Sequence, residues 1–154
     1  MGIRGLEVFW ARTKARRHKG ILVHRDVEQL AKEAIDCGFR LHKELGPGLL
    51  ESVYEVLLCE ALKDRGLFTE VQKVVPISYN GRVLEQGFRS DILIERSLLV
   101  EIKSTEKHAA VHAKQVLTYL RLMKLPLGLL MNFGMETFRD GIKRLANNYY
   151  RPLG

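Results

Sequence analysis

Two short apolar segments carry the side chains most able to do chemistry, which are Asp91, Glu101 and Lys103. Residues 90–94 and 98–103 are rich in leucine, isoleucine and valine, as is typical of buried strands. Side chains of a strand alternate between its two faces, so Glu101 and Lys103 must point the same way. A charged pair on one face of an apolar strand is costly unless it serves a purpose, so this stretch is a candidate site.

The length of the loop between the two strands decides whether Asp91 joins that pair. A three-residue loop at 95–97 would place Asp91 opposite Glu101, with Cβ atoms about 4.5–5.5 Å apart on one face. A two-residue loop would instead place Asp91 opposite Ile102, with Glu101 on the other face. Two opposed carboxylates repel each other unless a divalent cation lies between them, and oxygen ligands of this kind suit Mg²⁺ or Mn²⁺.

Such a set is suited to hydrolysis of a phosphodiester bond. The metal would polarise the scissile phosphate and lower the pKa of a bound water. Lys103 would orient that water or offset charge that develops in the transition state. The alternative is a surface Glu-Lys pair near the end of an exposed strand, because the pattern is short.

The hydrophobic periodicity around these residues predicts the order α-α-β-β-β-α-β-α. Glycine and proline at 46–48 should end the first helix, Pro76 suggests an edge strand or a bulge, and a bend is expected near Gly87. Asn80-Gly81 favours a two-residue type I′ hairpin turn. The predicted helices cover 26–45, 50–65, 107–124 and 135–147, and the predicted strands cover 68–79, 82–94, 98–103 and 127–133.

Residues 48–54, with the sequence GLLESVY, follow Leu45-Gly46-Pro47 and match the signature of the GxxExxY proteins. Over about residues 27–146 the chain thus resembles the PD-(D/E)XK nuclease superfamily, whose usual core order is αβββαβ. The resemblance implies an α/β restriction-endonuclease-like core with a four-stranded mixed sheet flanked by helices. It also implies a Mg²⁺-dependent nuclease (or one that uses Mn²⁺) acting on nucleic acid, with DNA the expected substrate.

The same resemblance places Asp91, Glu101 and Lys103 on the catalytic positions, while Ser90 stands where the name-giving proline would be. Glu51 resembles the acidic residue that the first core helix of the superfamily often brings to the metal. The metal ligands expected are therefore Glu51, Asp91 and Glu101. Glu51 also lies in the first turn of a helix, where a carboxylate favours the helix dipole, so a purely structural role stays open.

Gln115 and Tyr119 are four residues apart on a predicted helix and so share one face. Their spacing resembles the Gln-x-x-x-Tyr motif of RecB-like nucleases, in which these residues help to position DNA or the active site. We therefore add both to the candidate catalytic residues. The alternative is a partly buried tyrosine beside a surface glutamine.

The net charge of +7 is concentrated at the N-terminus. Residues 1–25 carry one glutamate against seven basic residues, so the rest of the chain is nearly neutral. We expect 1–25 to be a flexible basic tail that binds phosphates or is simply solvated, and 26–150 to be the nuclease-like domain. The seven basic residues are Arg4, Arg12, Lys14, Arg16, Arg17, Lys19 and Arg25.

Length and composition set the class of protein. A chain of 154 residues suits one domain, and no apolar run approaches the roughly 18–20 residues of a membrane helix. Cys37 and Cys59 stand without a CxxC motif or a Cys/His cluster beside them, which favours buried, reduced thiols and a cytoplasmic location. A homodimer would let so short a chain embrace a duplex.

Two other functions remain open on the sequence alone. The nearly neutral body favours a catalytically silent module that binds nucleic acid or protein on the same fold, because nuclease domains commonly show a basic groove. An enzyme of different specificity on the same core is the other, since fold does not fix function.

Overall fold

The structure, a computed structural model, describes residues 26–148, so the basic tail lies outside the described residues. None of the helices in this range is long and apolar enough to cross a membrane. The elements in chain order are α1 (Val27–Leu45), α2 (Glu51–Asp64), β1 (Thr69–Tyr79), β2 (Arg82–Ile94), β3 (Leu98–Lys103), α3 (Ala110–Met123), β4 (Leu127–Asn132), α4 (Phe138–Gly141) and β5 (Ile142–Ala146).

The first two helices of the described residues begin and end within one residue of the predicted bounds. The Asp26 side chain caps α1 by accepting a hydrogen bond from the Glu28 N–H, and Gly46 ends the helix with a φ of 69°. Such a positive φ suits glycine, which has no Cβ to clash with the backbone. The break between α1 and α2 is therefore confirmed at the Gly-Pro-Gly segment.

The β1–β2 hairpin has the turn that the Asn80-Gly81 pair predicts. Tyr79 pairs with Arg82, and both Asn80 and Gly81 have positive φ, as a type I′ turn requires. The register then shifts beside Pro76, where β2 holds two more residues than β1. Gly87 lies in this bulge, and a Cβ there would come within 2.4 Å of Ile77 Cγ1. The predicted bulge is thus confirmed.

One mixed five-stranded sheet forms the centre of the molecule, in the order β1-β2-β3-β4-β5. Only β3 and β4 are parallel, and α3 makes the crossover between them. Helices α1 and α2 pack on one face of the sheet through the larger core cluster, and α3 packs on the other through the smaller cluster that includes Leu93 and Leu99. The α/β restriction-endonuclease-like fold class is confirmed.

The predicted final helix over 135–147 is wrong, and with it the count of four strands. Only Phe138–Gly141 is helical, and Ile142–Ala146 forms β5 antiparallel to β4. Phe138, Ile142 and Leu145 are spaced like the apolar face of a helix, which explains the error. Without β5 the edge of β4 would keep unpaired backbone groups, and pairing them outweighs the local helical pattern.

The loop between β2 and β3 has the three residues on which the site depends. Ile94 pairs with Leu98, and the connecting residues 95–97 include two with positive φ. The ladder continues through Leu93–Leu99 and ends at Ile92–Val100. Asp91 and Glu101 are the next residues outward on their strands and so fall opposite each other.

Candidate active site

The carboxylates of Asp91 and Glu101 each accept a backbone N–H from the opposite strand where the β2–β3 ladder ends. The Asp91 N–H donates to Glu101 Oε1 at 3.1 Å, and the Ile102 N–H donates to Asp91 Oδ2 at 2.8 Å. Each carboxylate therefore takes the place of a backbone carbonyl in the ladder. Both side chains follow the alternation of Leu93 and Leu99 and so lie on the sheet face covered by α3.

Glu101 is almost completely buried, at 3% exposure. Burial raises its pKa to about 9, and the neighbouring charge of Asp91 adds to the effect, while Lys103 acts in the opposite direction. A buried carboxyl of this kind must hold a proton or face a cation to be stable. Among residues 26–148, neither carboxylate has an ion pair with a lysine or arginine within 4 Å.

Lys103 ends β3 on the same face as Glu101, and its side chain is half-buried. Its carbonyl accepts a hydrogen bond from the Phe133 N–H at 2.8 Å. Beside it the buried Asn132 accepts hydrogen bonds from the Thr105 and Gly134 N–H groups at 3.0 Å each. The carboxyl end of β3 is therefore held firmly against β4, which fixes the start of the Lys103 side chain.

The GLLESVY segment builds a fixed corner before α2. Tyr54 is fully buried, stacks on Phe133 with ring centroids 4.5 Å apart, and donates a hydrogen bond to the Gly46 carbonyl at 2.6 Å. Its hydroxyl oxygen also accepts the Leu49 N–H at 3.2 Å. Tyr54 thus orients the first turn of α2, in which Glu51 lies one helical turn away.

Glu51 reaches the end of β3 from that first turn. Its Oε1 accepts a hydrogen bond from the Ser104 N–H at 3.3 Å, directly after Lys103. Burial raises the pKa of Glu55, and the charges of Asp91 and Glu51 add to this effect. Burial and the charge of Lys103 lower the pKa of His112, and the charge of Glu51 opposes that lowering. Glu51 therefore lies at the rim of the site, without a hydrogen bond to Asp91 or Glu101 among those found in the described part of the chain.

Gln115 and Tyr119 lie together on α3, on the same side of the sheet as the acidic pair. Gln115 Nε2 donates to Tyr119 Oη at 2.8 Å, and the Tyr119 ring stacks on Phe88 of β2 with centroids 3.9 Å apart. Burial raises the pKa of Tyr119, and the charges of Glu101 and Asp91 raise it further. Tyr119 is therefore close enough to the acidic pair for its pKa to respond to their charges.

Two further residues at this site, Glu55 and Gln72, were not expected from the sequence. Gln72 Nε2 donates to Glu55 Oε2 at 2.6 Å and to Asp91 Oδ1 at 3.2 Å. Burial raises the pKa of Glu55, whereas the hydrogen bond from Gln72 lowers it. The i, i+4 spacing from Glu51 could have indicated Glu55, because it places both carboxylates on one helical face.

The donor set fits a divalent cation held by few protein ligands. No group of three or more histidine, cysteine, aspartate or glutamate side chains arranged to hold a metal occurs within residues 26–148. Mg²⁺ typically uses only one or two carboxylates and completes its shell with water and substrate phosphate. Two adjacent carboxylates, one of them buried and without a cationic partner in that range, match this requirement.

A mixed sheet with helices on both faces, and an acidic pair followed by a lysine on its central hairpin, defines a restriction-endonuclease-like domain. The family model described as the PD-(D/E)XK nuclease superfamily matches residues 28–145, more than half of the chain. The chain therefore belongs to the PD-(D/E)XK nuclease superfamily. Nucleases of this superfamily act on nucleic acid and generally use divalent metal ions. Searches of curated proteins and of solved structures returned no significant match.

Proposed function

We propose that this protein is a metal-dependent nuclease that hydrolyses phosphodiester bonds, with DNA as its substrate. The observation that carries the proposal is the hydrogen-bonded pair of Asp91 and Glu101, with Lys103 two residues further along the same strand face. Membership of the PD-(D/E)XK nuclease superfamily supports the same conclusion. The narrower GxxExxY assignment remains a prediction from residues 48–54.

Each residue has a role that follows from its chemistry. Asp91 and Glu101 hold the cation, Mg²⁺ or Mn²⁺, with Glu51 available as a further oxygen ligand from the rim. When bound, the cation supplies Lewis-acid polarisation of the phosphodiester and lowers the pKa of water in its shell. Lys103 orients the attacking water and offsets the negative charge that develops on the phosphate.

Gln115 and Tyr119 act on the same face as positioning groups. The Tyr119 hydroxyl is fixed by the stack on Phe88 and by the Gln115 amide, so it presents a donor in a defined direction. A nucleic-acid phosphate or the ligand shell of the acidic pair is the natural acceptor for such a donor.

The decisive experiment is a cleavage assay on linear duplex DNA, single-stranded DNA, branched DNA and RNA with Mg²⁺ or Mn²⁺. Wild type is compared with Lys103→Ala, and Lys63→Ala in the last turn of α2 is the matched control. We expect metal-dependent cleavage in wild type and in the control, and a loss of about 10²–10³-fold in Lys103→Ala. Cleavage that survives the loss of Lys103, or that needs no metal, would contradict the proposal.

A catalytically silent module that binds nucleic acid or protein is the second candidate. The observation that favours it is the nearly neutral charge of the chain beyond residue 25. Calorimetry separates the two functions, because a silent module needs no divalent cation. Absence of both cleavage and Mn²⁺ binding in wild type would contradict the enzyme and direct the search to a binding partner.

We further propose that residues 1–25 add affinity for the phosphate backbone and that the protein acts as a homodimer. Basic side chains release counterions when they bind phosphates, so removal of residues 1–25 should flatten the dependence of DNA affinity on salt. Sedimentation at working concentration tests the second proposal, and a monomeric mass would contradict it.

A further inference from the structure

Gln72 has an unusual backbone conformation for a residue inside a strand. Its φ is 51°, whereas Val71 still pairs with Ile92 and Lys73 still pairs with Ser90. The ladder therefore continues on both sides without a change of register, and Gln72 alone leaves the extended conformation directly opposite Asp91. The other non-glycine residues with positive φ in the described chain lie in turns or at a helix end, and these are Asn80, Glu95, Arg96 and Lys124.

A left-handed conformation is unfavourable for a residue with a long side chain, so contacts made by that side chain must offset it. Gln72 makes two such contacts through a single atom, because its Nε2 lies between Glu55 Oε2 and Asp91 Oδ1. The amide has two hydrogens on this nitrogen, one for each carboxylate. Hydrogen bonds to carboxylates are stronger than those between neutral groups.

With the Gln72 contact, both carboxylate oxygens of Asp91 accept a hydrogen bond. Its Oδ2 accepts the Ile102 N–H at 2.8 Å, and its Oδ1 accepts the Gln72 amide at 3.2 Å. Glu55 Oε2 accepts the Gln72 amide at 2.6 Å. Glu55 lies on α2, a helix that packs on the sheet face opposite α3. A chain of side chains therefore runs from α2 through Gln72 to the candidate metal ligand.

We propose that Gln72 and Glu55 are positioning residues that hold the Asp91 carboxylate in the orientation needed for cation binding. This inference rests on the proposed nuclease function, in which Asp91 holds the cation. Groups that hydrogen-bond to metal ligands fix the orientation of those ligands, and their loss typically weakens metal affinity or activity by about 10–100-fold. Glu55 acts one step further out, because it orients Gln72 rather than Asp91 itself.

Gln72→Gly separates positioning from folding. Glycine adopts positive φ without a steric cost, so the backbone keeps its conformation while the amide is lost. We expect the melting temperature to stay the same or to rise. Mn²⁺ affinity, measured by calorimetry on the full chain, should weaken about tenfold, and the cleavage rate should fall by about 10–100-fold. Gln86→Ala, an exposed glutamine on the same hairpin, should change neither quantity.

Glu55→Gln and Glu55→Ala test whether Glu55 orients Gln72. The Glu55→Gln side chain would still offer an amide oxygen to Gln72, so this variant should keep more Mn²⁺ affinity than Glu55→Ala. Glu60→Gln, on an exposed position of the same helix, is the control. Equal behaviour of the two Glu55 variants and the control would overturn the role of Glu55.

The outcomes distinguish this inference from the proposed function. If wild type binds Mn²⁺ and cleaves while Gln72→Gly matches it in both, the positioning role is overturned and the nuclease stands. If Gln72→Gly lowers only the melting temperature, Gln72 is structural and the inference is again overturned. If wild type neither binds Mn²⁺ nor cleaves, the proposed function is overturned together with this inference.

Discussion

The Asp91 N–H donates to the carboxylate of Glu101 at the point where the backbone ladder between β2 and β3 stops, and the Asp91 carboxylate accepts the Ile102 N–H in return. This exchange places two acidic groups side by side without a cationic partner among the ion pairs of residues 26–148. Burial and the charge of Asp91 keep Glu101 protonated at neutral pH, because its pKa is raised to about 9. Any cation that binds here must first displace that proton.

We therefore predict that cation binding releases protons. At pH 7, binding of Mn²⁺ should release about one proton from Glu101, and the apparent affinity should rise by up to about tenfold per pH unit below about pH 9. Calorimetry in two buffers with different ionisation enthalpies measures the number of protons released. Glu101→Gln removes this proton together with a proposed cation ligand, so it should bind Mn²⁺ more weakly and release no such proton. Affinity that does not change between about pH 6 and pH 8 would contradict the prediction.

The raised pKa of Glu101 also predicts how the stability of the protein depends on pH. Because the folded pKa of Glu101 lies above its unfolded value, its contribution to stability is complete below about pH 4.5 and is lost as pH rises towards 9. The amide of a Glu101→Gln variant would mimic the protonated side chain without this loss. In chelator, the free energy of unfolding of Glu101→Gln should exceed that of wild type by about 3 kcal/mol at pH 7.

Urea unfolding at about pH 6 and pH 8 measures this difference, which should be larger at the higher pH. Glu106→Gln, at an exposed position after β3, is a suitable control that should show no such trend. If the free energies of unfolding of wild type and Glu101→Gln change with pH in parallel, Glu101 is ionised in the folded protein.

The acidic pair could be predicted because local chemistry fixes it. Alternation within β3 and a three-residue loop are enough to place Asp91 opposite Glu101, and the structure has both. Gln72 could not be predicted in the same way. Counting back from the Asn80-Gly81 turn puts Gln72 opposite Arg89, and only the two extra residues of the bulge bring it opposite Asp91. The number of extra residues in the bulge depends on packing that the sequence pattern does not encode.

The error over 135–147 has a different physical origin. This segment has apolar residues at helical spacing, but Gly141 packs directly on the Asn132 carbonyl, where a Cβ would come within 2.1 Å. That close approach starts β5, which completes the hydrogen bonds of β4. Long-range pairing of this kind decides the conformation of a short segment against its local pattern.

Gly87 makes the bulge possible, so Gly87→Ala should destabilise the hairpin. An added Cβ would meet Ile77 Cγ1 at 2.4 Å and the Val75 carbonyl oxygen at 2.9 Å, and a backbone oxygen cannot move aside cheaply. We expect a loss of about 1–3 kcal/mol in the free energy of unfolding. Urea unfolding measures it, with Gln86→Ala as the neighbouring control. A loss no larger than that of the control would show that the bulge tolerates a side chain.

The resemblance to the superfamily implies that Ser90 stands at the position of the name-giving proline. Its hydroxyl is buried without a hydrogen-bond partner within the described chain. A buried polar group in this state costs about 1–3 kcal/mol. Ser90→Ala should therefore raise the free energy of unfolding, by about 1 kcal/mol after the small volume lost is included. Thermal unfolding measures the change, with the exposed Ser52→Ala as control. A destabilised Ser90→Ala variant would mean that the hydroxyl has a partner, such as a water molecule.

Two variants of Tyr119 distinguish a role in the active site from a purely structural role. Tyr119→Phe keeps the stack on Phe88 but removes the hydroxyl that accepts the Gln115 amide. If the hydroxyl positions substrate or the acidic pair, this variant should cleave about tenfold more slowly at nearly unchanged stability. Tyr119→Leu also removes the stack and should lose a further 0.5–1.5 kcal/mol of stability, roughly the contribution of an aromatic pair.

The alternative from the sequence, a partly buried tyrosine beside a surface glutamine, predicts full activity for Tyr119→Phe. Cleavage rates and melting temperatures of both variants decide between the two roles, with Lys114→Ala as a control on an exposed position of the same helix. Slow cleavage by Tyr119→Phe at the melting temperature of wild type would assign the hydroxyl to the site, because a structural role alone leaves the rate unchanged in a folded variant.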